Sequence, residues 1–244
     1  MRPLTKWWVG VLMLVACSSF AQNVSTYIPT NAHKHLGPLR KEAERLAPTG
    51  PPVAYYASLI EQESCIGLKH SKCWSSTSKL KTSREEGAGL SQITRAYYKN
   101  GDLRFDKLTE MRDQYRSELK ELSWENVYYR DDLQYRIVVL LTMENWRKLF
   151  AVKSLEGRLA MTDSAYNGGY RDVARGREIC GLRENCDPDI WFNNVERTLP
   201  KSTKPIYGNR SAKDINLEHV YNVLKVRYQK YDSFYAKKES AHAN

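Results

Sequence analysis

Apolar residues recur at helical spacing along most of this chain, and the pattern predicts a mainly helical protein. The clearest stretch is 131–150, which is more apolar than a surface helix and therefore predicts a central core element. No convincing alternation of apolar and polar residues indicates strands, so we expect an all-α fold, or an α fold with a minimal β element. The other predicted helices cover residues 36–46, 53–64, 103–122, 158–169, 190–199 and 217–231.

Polar stretches without a periodic pattern separate these helices and predict connections. We expect a tether over 22–35, a loop over 67–86, a basic loop over 170–187 and a linker over 201–213. The chain would then consist of a leader, a tether with a first helix, a main domain, and a basic loop whose C-terminal helix packs on that domain. These four parts span residues 1–21, 22–47, 48–200 and 201–244, respectively.

The first residues have the features of an export signal. Arg2 and Lys6 supply positive charge ahead of an apolar run over 7–16, which is too short to span a bilayer comfortably. Two processing alternatives are open: cleavage after Ala21, or lipidation of Cys17, which ends a sequence similar to a bacterial lipobox. We therefore expect a periplasmic or secreted protein, with a membrane contact as an outer-membrane lipoprotein only if Cys17 is lipidated.

The chain is basic, with 38 Lys and Arg residues against 28 Asp and Glu residues and a formal net charge of +10. Export removes Arg2 and Lys6 and no acidic residue, which lowers the charge by 2, to +8. Such a balance suggests an anionic partner such as cell wall, lipid headgroups or nucleic acid. We expect no nucleic-acid partner, because the chain carries no recognised binding motif and is expected to be exported.

Four cysteines remain after the expected processing, and this even number suggests disulfides in an oxidising compartment. They are Cys65, Cys73, Cys180 and Cys186, and three pairings are possible. The simplest is two local bridges, Cys65–Cys73 and Cys180–Cys186, each closing a short loop. The spacing does not match a zinc site and no nearby histidine pair completes one, so we expect no metal.

Glu63 is the first candidate for chemistry. A Pro-Pro pair at 51–52 can start a helix ahead of it, and Tyr56 and Ile60 belong to an apolar stripe on which Glu63 also falls. Burying an ionised carboxylate on such a stripe is costly, which predicts a raised pKa suited to a general acid. Glu61 points away from the stripe. The alternative is that Glu63 is a solvated residue at a helix end.

Two other short motifs place polar side chains beside glycines. Residues 87–94 contain two glycines around an alanine, which allow a backbone to approach closely, and Gln92 follows them. This stretch predicts a turn before a helix, and it lacks the pattern and the lysine of a phosphate loop. Residues 158–169 predict a helix that ends in Gly-Gly, with Tyr166 and Asn167 in its last turn.

Taken in order, these motifs resemble those of the soluble lytic transglycosylase family, whose fold is like that of goose-type lysozyme. The residues are Gln62-Glu63-Ser64, Gly87-Ala88-Gly89-Leu90-Ser91-Gln92 and Ala165-Tyr166-Asn167-Gly168-Gly169. The family pattern is Glu-Ser, then Gly-Leu-Met-Gln, then Ala-Tyr-Asn-Ala-Gly, and the resemblance covers roughly residues 48–180. This chain has Ser91 in place of the usual methionine and Gly168 in place of the usual alanine.

The resemblance implies a lysozyme-like domain that cleaves peptidoglycan between N-acetylmuramic acid and N-acetylglucosamine, without a cofactor. Glu63 would protonate the glycosidic oxygen and then take a proton from the muramyl 6-hydroxyl, so that a 1,6-anhydro sugar forms without water. Tyr166 would hydrogen-bond near that carboxyl group and fix its orientation. The residues expected to contact the glycan strand are Ser64, Ser91, Gln92, Tyr166 and Asn167.

Two alternatives stay open beside this interpretation. A second acid near the motifs, among Glu61, Glu85, Glu86 and Asp163, could position a water molecule and make the enzyme a muramidase of the same fold. A non-catalytic wall-binding or structural module, for instance part of a secretion or phage apparatus, would need no acid on an apolar face. Peptidoglycan glycan strands are the expected partner.

Overall fold

The computed structural model describes residues 26–242, which form a mainly helical fold with a small antiparallel sheet, as the sequence predicts. The leader predicted over 1–21, with both processing alternatives, lies outside the described residues. The α-helices are α1 Ala32–Leu46, α2 Val53–Ser64, α3 Lys107–Gln114, α4 Arg116–Leu119, α5 Asp131–Lys148, α6 Leu155–Gly168, α7 Tyr170–Gly181, α8 Glu196–Thr198, α9 Ala212–Tyr221 and α10 Tyr228–His242. The strands are β1 Lys79–Lys81, β2 Glu85–Ala88, β3 Ile93–Tyr97 and β4 Leu103–Asp106 in one sheet, and β5 Pro205–Tyr207 and β6 Arg210–Ser211 in a hairpin.

Helix α2 is the central element, because it is buried on every side from Ala54 to Glu61. Helices α1, α5 and α10 pack around it in one core that also contains Trp74. The stripe predicted from the sequence is therefore only part of the buried surface of α2. The end of this helix, at Glu63, is where the protein interior meets the cleft described below.

Five of the seven predicted helices are confirmed, among them 36–46, which lies in α1, and 53–64, which coincides with α2. The stretch 131–150 forms α5, whose residues Ile137, Val138 and Val139 are completely buried. The stretch 158–169 lies in α6, which ends at Gly168 and is capped by Gly169 in the left-handed region, with φ of +90°. The stretch 217–231 lies in a continuous C-terminal helical segment in which α9 and α10 are joined by a π-helical turn, Asn222–Arg227.

The sheet is the main feature that the apolar pattern does not predict. The expected loop over 67–86 contains β1 and the start of β2, and β4 opens the stretch 103–122 that was expected to be helical throughout. Strands of three to five residues are too short to display a clear alternation, and β1 is exposed along its whole length. The strands pair in the order β1-β2-β3-β4, all antiparallel.

Other boundaries also differ from the prediction. Helix α1 begins at Ala32, inside the expected tether, and the expected basic loop over 170–187 is largely helix α7. The helix expected over 190–199 is interrupted, because Phe192 and Asn193 have non-helical dihedral angles and only α8 follows them. The expected linker over 201–213 contains the β5–β6 hairpin and the start of α9.

Both predicted disulfides are present. Cys65 pairs with Cys73 at a Cα–Cα distance of 4.1 Å, and Cys180 pairs with Cys186 at 5.2 Å. Two such bridges indicate an oxidising, extracytoplasmic environment. Within residues 26–242, none of the helices has the length and apolar character that crossing a membrane requires.

The Cys65–Cys73 bridge links Cys65, which follows Ser64 at the end of α2, to the chain eight residues further on. Replacing both cysteines by serine is expected to lower the free energy of unfolding by about 2–3 kcal/mol, the loop-closure value for a short loop. Urea unfolding of the oxidised protein and of the double variant measures the difference. The Cys180–Cys186 pair, with a sequence separation of 6 against 8, offers a matched control outside α2. An unchanged urea midpoint for the Cys65/Cys73 variant would contradict the expectation.

Candidate active site

A cleft of about 590 Å³ lies between the four-stranded sheet and helices α5 and α6. The end of α2 contributes Glu63 to its lining. All four antiparallel strands contribute residues to one side and α5 and α6 to the other, and the cleft between them is open to solvent. The lining residues used below are Glu63, Glu85, Ser91, Gln92, Phe105, Glu144, Tyr166, Asn167 and Tyr170.

Glu63 and Glu61 end α2 on opposite sides of the helix. The Glu63 side chain is 17% exposed and lines the cleft, where its Oε1 lies 3.0 Å from Nε2 of His219. Glu61 is completely buried in the core, 2.7 Å from Lys230 Nζ and 3.3 Å from Arg227 Nε. The environment of Glu63 is therefore polar and charged, whereas the sequence predicted an apolar one.

His219 connects Glu63 to a second, fully buried acid. Its Nδ1 lies 2.7 Å from Oδ2 of Asp163, a residue of α6 with no exposed surface. The hydroxyl of Tyr55 on α2 donates to the other oxygen of Asp163 over 3.3 Å. Four side chains from three helices thus form a continuous chain of hydrogen bonds that begins in the core and ends in the cleft.

The charge of His219 follows from its two carboxylate neighbours. Burial alone would lower the pKa of His219, but the charges and hydrogen bonds of Asp163 and Glu63 outweigh burial and raise the pKa to about 10. Since the pKa is raised, the stability that this arrangement contributes is fully present below the usual value of 6.5 and is lost as the pH rises through about 10. At neutral pH His219 is an imidazolium that donates from both nitrogens.

The π-helical turn brings His219 and Arg227 to nearly the same face of the C-terminal helical segment, the face that packs on α2. In a regular α-helix, Arg227 would be rotated by roughly 80° from His219, because eight residues exceed two turns. One extra residue in a π-helical turn reduces the rotation to roughly 20° in the opposite sense. The C-terminal helical segment can therefore place one cation near Glu61 and another at Glu63.

The glycine motif forms the hairpin loop between β2 and β3, since Ala88 pairs with Ile93. This is a turn before a strand, which corrects the predicted turn before a helix. Gly89 has φ of +70°, and a Cβ there would lie 2.3 Å from Oε1 of Gln134. That oxygen accepts a hydrogen bond from the backbone N–H of Leu90 over 2.6 Å. The absence of a side chain at Gly89 thus lets Gln134 of α5 bond directly to the loop backbone.

The loop brings Ser91 and Gln92 to the cleft. Gln92 adopts a left-handed conformation, with φ of +44°, and its Nε2 donates to the carbonyl of Gly89 over 2.8 Å. Ser91 is buried except where it lines the cleft, and its hydroxyl accepts from the N–H of Ile93 over 3.3 Å. Both residues are therefore held in fixed positions by backbone contacts of their own loop.

Tyr166 does not bond to the carboxyl group of Glu63, and this corrects the orienting role expected of it. Its hydroxyl donates to the carbonyl of Ser91 over 2.9 Å and so ties α6 to the glycine loop. Burial, with the nearby charges of Glu63 and Asp163, raises the pKa of Tyr166 well above its usual value. The contact with Glu63 is made instead by His219.

Asn167 and Ser64 differ in their position relative to the cleft. Asn167 lines the cleft, and its Oδ1 accepts from Nδ2 of Asn216 over 2.9 Å. Ser64 is buried behind the cleft, where its hydroxyl donates to the carbonyl of Ile60 and accepts from the N–H of Trp74. Ser64 therefore stabilises the end of α2, and the structure does not bring it to the glycan-facing surface as expected.

Among the other acids near the motifs, Glu85 lines the cleft. Glu86 is a structural anion: burial favours its neutral form, but hydrogen bonds from Arg95, Lys79 and Tyr128 outweigh burial and lower the pKa of Glu86 to about 2. Among the described residues, no group of three or more His, Cys, Asp or Glu side chains is arranged to hold a metal ion.

The three motifs thus meet at one cleft, with Glu63, Ser91, Gln92, Tyr166 and Asn167 in its lining. Sequence reasoning missed His219 and Asn216, both of α9, which contact Glu63 and Asn167. No local pattern marks either residue, because their partners lie far away in the sequence. No protein-family model matches this chain, and no curated protein matches it.

Proposed function

We propose that this protein is an exported peptidoglycan lytic transglycosylase with Glu63 as its acid/base. The observation that carries the proposal is the meeting of three separate chain segments at one open cleft, where the carboxyl group of Glu63 lies among Gln92, Tyr166 and Asn167. These are the positions at which the motifs of the resembling family place its functional residues. A cleft that is open to solvent gives a polymer access to the carboxyl group of Glu63.

The composition of the cleft also suits a glycan. Phe105 and Tyr170 offer apolar ring faces, while the amides of Gln92 and Asn167 offer donors and acceptors for sugar hydroxyl and acetamido groups. The net charge of +10 supports residence on an anionic wall. The two disulfides fit a periplasmic or secreted site of action, which we propose as the finer location.

In the proposed reaction, Glu63 gives its proton to the oxygen that links N-acetylmuramic acid to N-acetylglucosamine, and the bond from the anomeric carbon to that oxygen breaks. The 6-hydroxyl of the muramyl residue then bonds to the anomeric carbon and returns its proton to Glu63. The product carries a 1,6-anhydro end, and no water is consumed. One carboxyl group acts as acid and then as base.

A muramidase of the same fold is the second candidate, because Glu85 and Glu144 line the same cleft as Glu63. Inverting glycosidases use such a second carboxylate to activate water, and retaining enzymes use it as a nucleophile. Of the acids considered from sequence, Glu61 and Asp163 are buried on cationic partners and Glu86 is held in the sheet. Glu85 is therefore the one of those four that supports this alternative.

Product analysis separates the two reactions. We expect the protein to release muropeptides with 1,6-anhydro ends from purified sacculi, identified by mass spectrometry as 18 Da lighter than their hydrated counterparts because no water is added. Incorporation of ¹⁸O from labelled water into reducing ends would instead establish a muramidase. Retention on sacculi without any soluble product would favour a non-catalytic wall-binding module and overturn both.

A further inference from the structure

We infer that His219, fixed in place by Asp163, is a positioning residue for Glu63 that the C-terminal helical segment supplies to the cleft. The inference rests on the proposed function, because it takes Glu63 as the acid/base. It replaces a glutamate that acts alone by a unit of three side chains, in which Glu63 is the member that meets the substrate.

Hydrogen bonds hold the imidazole at both nitrogens. Nδ1 is bound to Asp163 at 2.7 Å, and Nε2 is bound to Oε1 of Glu63 at 3.0 Å. Asp163 is held in turn by the hydroxyl of Tyr55. Since the imidazole occupies Oε1, Oε2 is the atom of Glu63 left to exchange a proton with the glycan.

The pair of Asp163 and His219 would be complete without Glu63. Burying a carboxylate and an imidazolium costs free energy that only mutual compensation offsets, and one partner is enough for that purpose. The second hydrogen bond of His219 goes to the acid that lines the cleft. Through this bond the buried pair affects the chemistry of the site, because it determines which oxygen of Glu63 is free and places a positive charge next to the other oxygen.

The proton transfers of the proposed reaction balance without any change in the protonation of His219. As the Oε2–H bond of Glu63 breaks, the proton goes to the glycosidic oxygen, which also keeps the electrons of the broken C–O bond. The negative charge that forms on Glu63 already has an N–H donor at Oε1, so it is stabilised without reorganisation. The muramyl 6-hydroxyl then bonds to the anomeric carbon and returns its proton to Oε2, while His219 keeps both of its protons.

Acidic groups dominate the surroundings of His219. Glu63 on α2 and Asp163 on α6 contact His219 directly, and the groups that interact with Asp163 around them are Tyr55 on α2, Tyr166 on α6 and Arg227 on the C-terminal helical segment. Both tyrosines are neutral at physiological pH, because their pKa values are raised. Asp163, whose charge and hydrogen bond favour the imidazolium more than those of Glu63 do, therefore holds the positive charge on His219 while Glu63 exchanges its proton.

Two amide variants separate the two contacts of His219. The amide nitrogen of a glutamine reaches the place of Nε2, and that of an asparagine reaches the place of Nδ1, but neither carries charge. We expect kcat/KM to fall about 10-fold in H219Q, which keeps a donor toward Glu63, and about 100-fold in H219N, which loses it. In both variants the loss is expected in kcat, with KM little changed, because His219 contacts the acid and does not line the cleft that would hold the glycan.

A second measurement is independent of activity. In ¹⁵N NMR titrations, His219 of the wild-type protein is expected to stay protonated until about pH 10, and in D163N to titrate at lower pH. His70, an exposed histidine in the Cys65–Cys73 loop, provides the matched control: H70Q should keep the wild-type kcat and KM.

The outcomes distinguish the inference from the proposed function. A wild-type protein that releases no product defeats the proposed function, while the titration still tests the coupling of His219 to Asp163. Equal rates of folded H219Q and H219N, a loss confined to KM, or titration of wild-type His219 near 6.5 would each overturn the positioning role. If H219N does not fold, H219Q and the wild-type titration decide.

Discussion

Replacing Glu63 by glutamine is expected to abolish peptidoglycan cleavage while leaving the fold intact. In the proposed reaction the same carboxyl group gives a proton in one step and takes one back in the next, and an amide can do neither. General acid–base groups contribute about 10²–10⁴-fold to a rate, so a loss of at least about 10³-fold is expected for a residue used twice. Release of muropeptides from sacculi measures the rate.

The fold should survive this change, because Glu63 is partly exposed at the end of α2 and glutamine has nearly the same shape. Thermal unfolding followed by circular dichroism provides the control. Turnover by a folded Glu63→Gln variant within about tenfold of the wild-type rate would sink the acid/base assignment. If Glu63→Gln loses its fold as well as its activity, Glu85→Gln provides the comparison, because the Glu85 side chain lines the same cleft.

Replacing Glu61 by glutamine is expected to have the opposite effect, a large loss of stability with the chemical groups of the cleft left in place. Glu61 is completely buried, and Lys230 with 2% of its side chain exposed depends on it, as does Arg227. Removing one partner of a buried charge cluster costs about 3–5 kcal/mol, because the remaining charges are left uncompensated. For a chain of this size, a loss of that order lowers Tm by roughly 10 °C.

A double-mutant cycle tests the cause of that loss. Glu61→Gln combined with Lys230→Met removes the uncompensated ammonium, so the double variant should recover part of the stability that Glu61→Gln alone loses. An unchanged Tm for Glu61→Gln would show that the cluster does not stabilise the fold. Comparison with Glu63→Gln makes a sharp contrast, because the two acids stand two residues apart and face opposite sides of the same helix.

Local patterns predicted helices α5 and α6, which form one side of the cleft. Helix α5 is apolar over most of its length, and α6 ends at a glycine pair, so each has a signal contained within its own residues. The cysteines were also predictable, because short loops favour local pairing. The motif residues Gln92, Tyr166 and Asn167 could be placed at a common cleft only through the resemblance of three motifs taken in order.

The sheet and the charge network escaped prediction for different physical reasons. The strands are three to five residues long, so periodicity had too few residues to act on. His219 lies among residues whose helical spacing predicts packing, and nothing nearby distinguishes a histidine that meets two carboxylates from one that meets solvent. The helical wheel correctly separated Glu61 from Glu63, but it could not show that Lys230 would lie against the former.

The sequence separation of 156 between Glu63 and His219 has a consequence for when this site can form. A ribosome makes Glu63 in the first third of the chain and His219 near its end, so a nascent chain carries the acid long before its partner. Closing so long a loop is entropically costly and raises the contact order of the fold. The complete three-residue unit can therefore form only after synthesis has passed α9, and a prematurely terminated chain would expose an acid without the group that positions it.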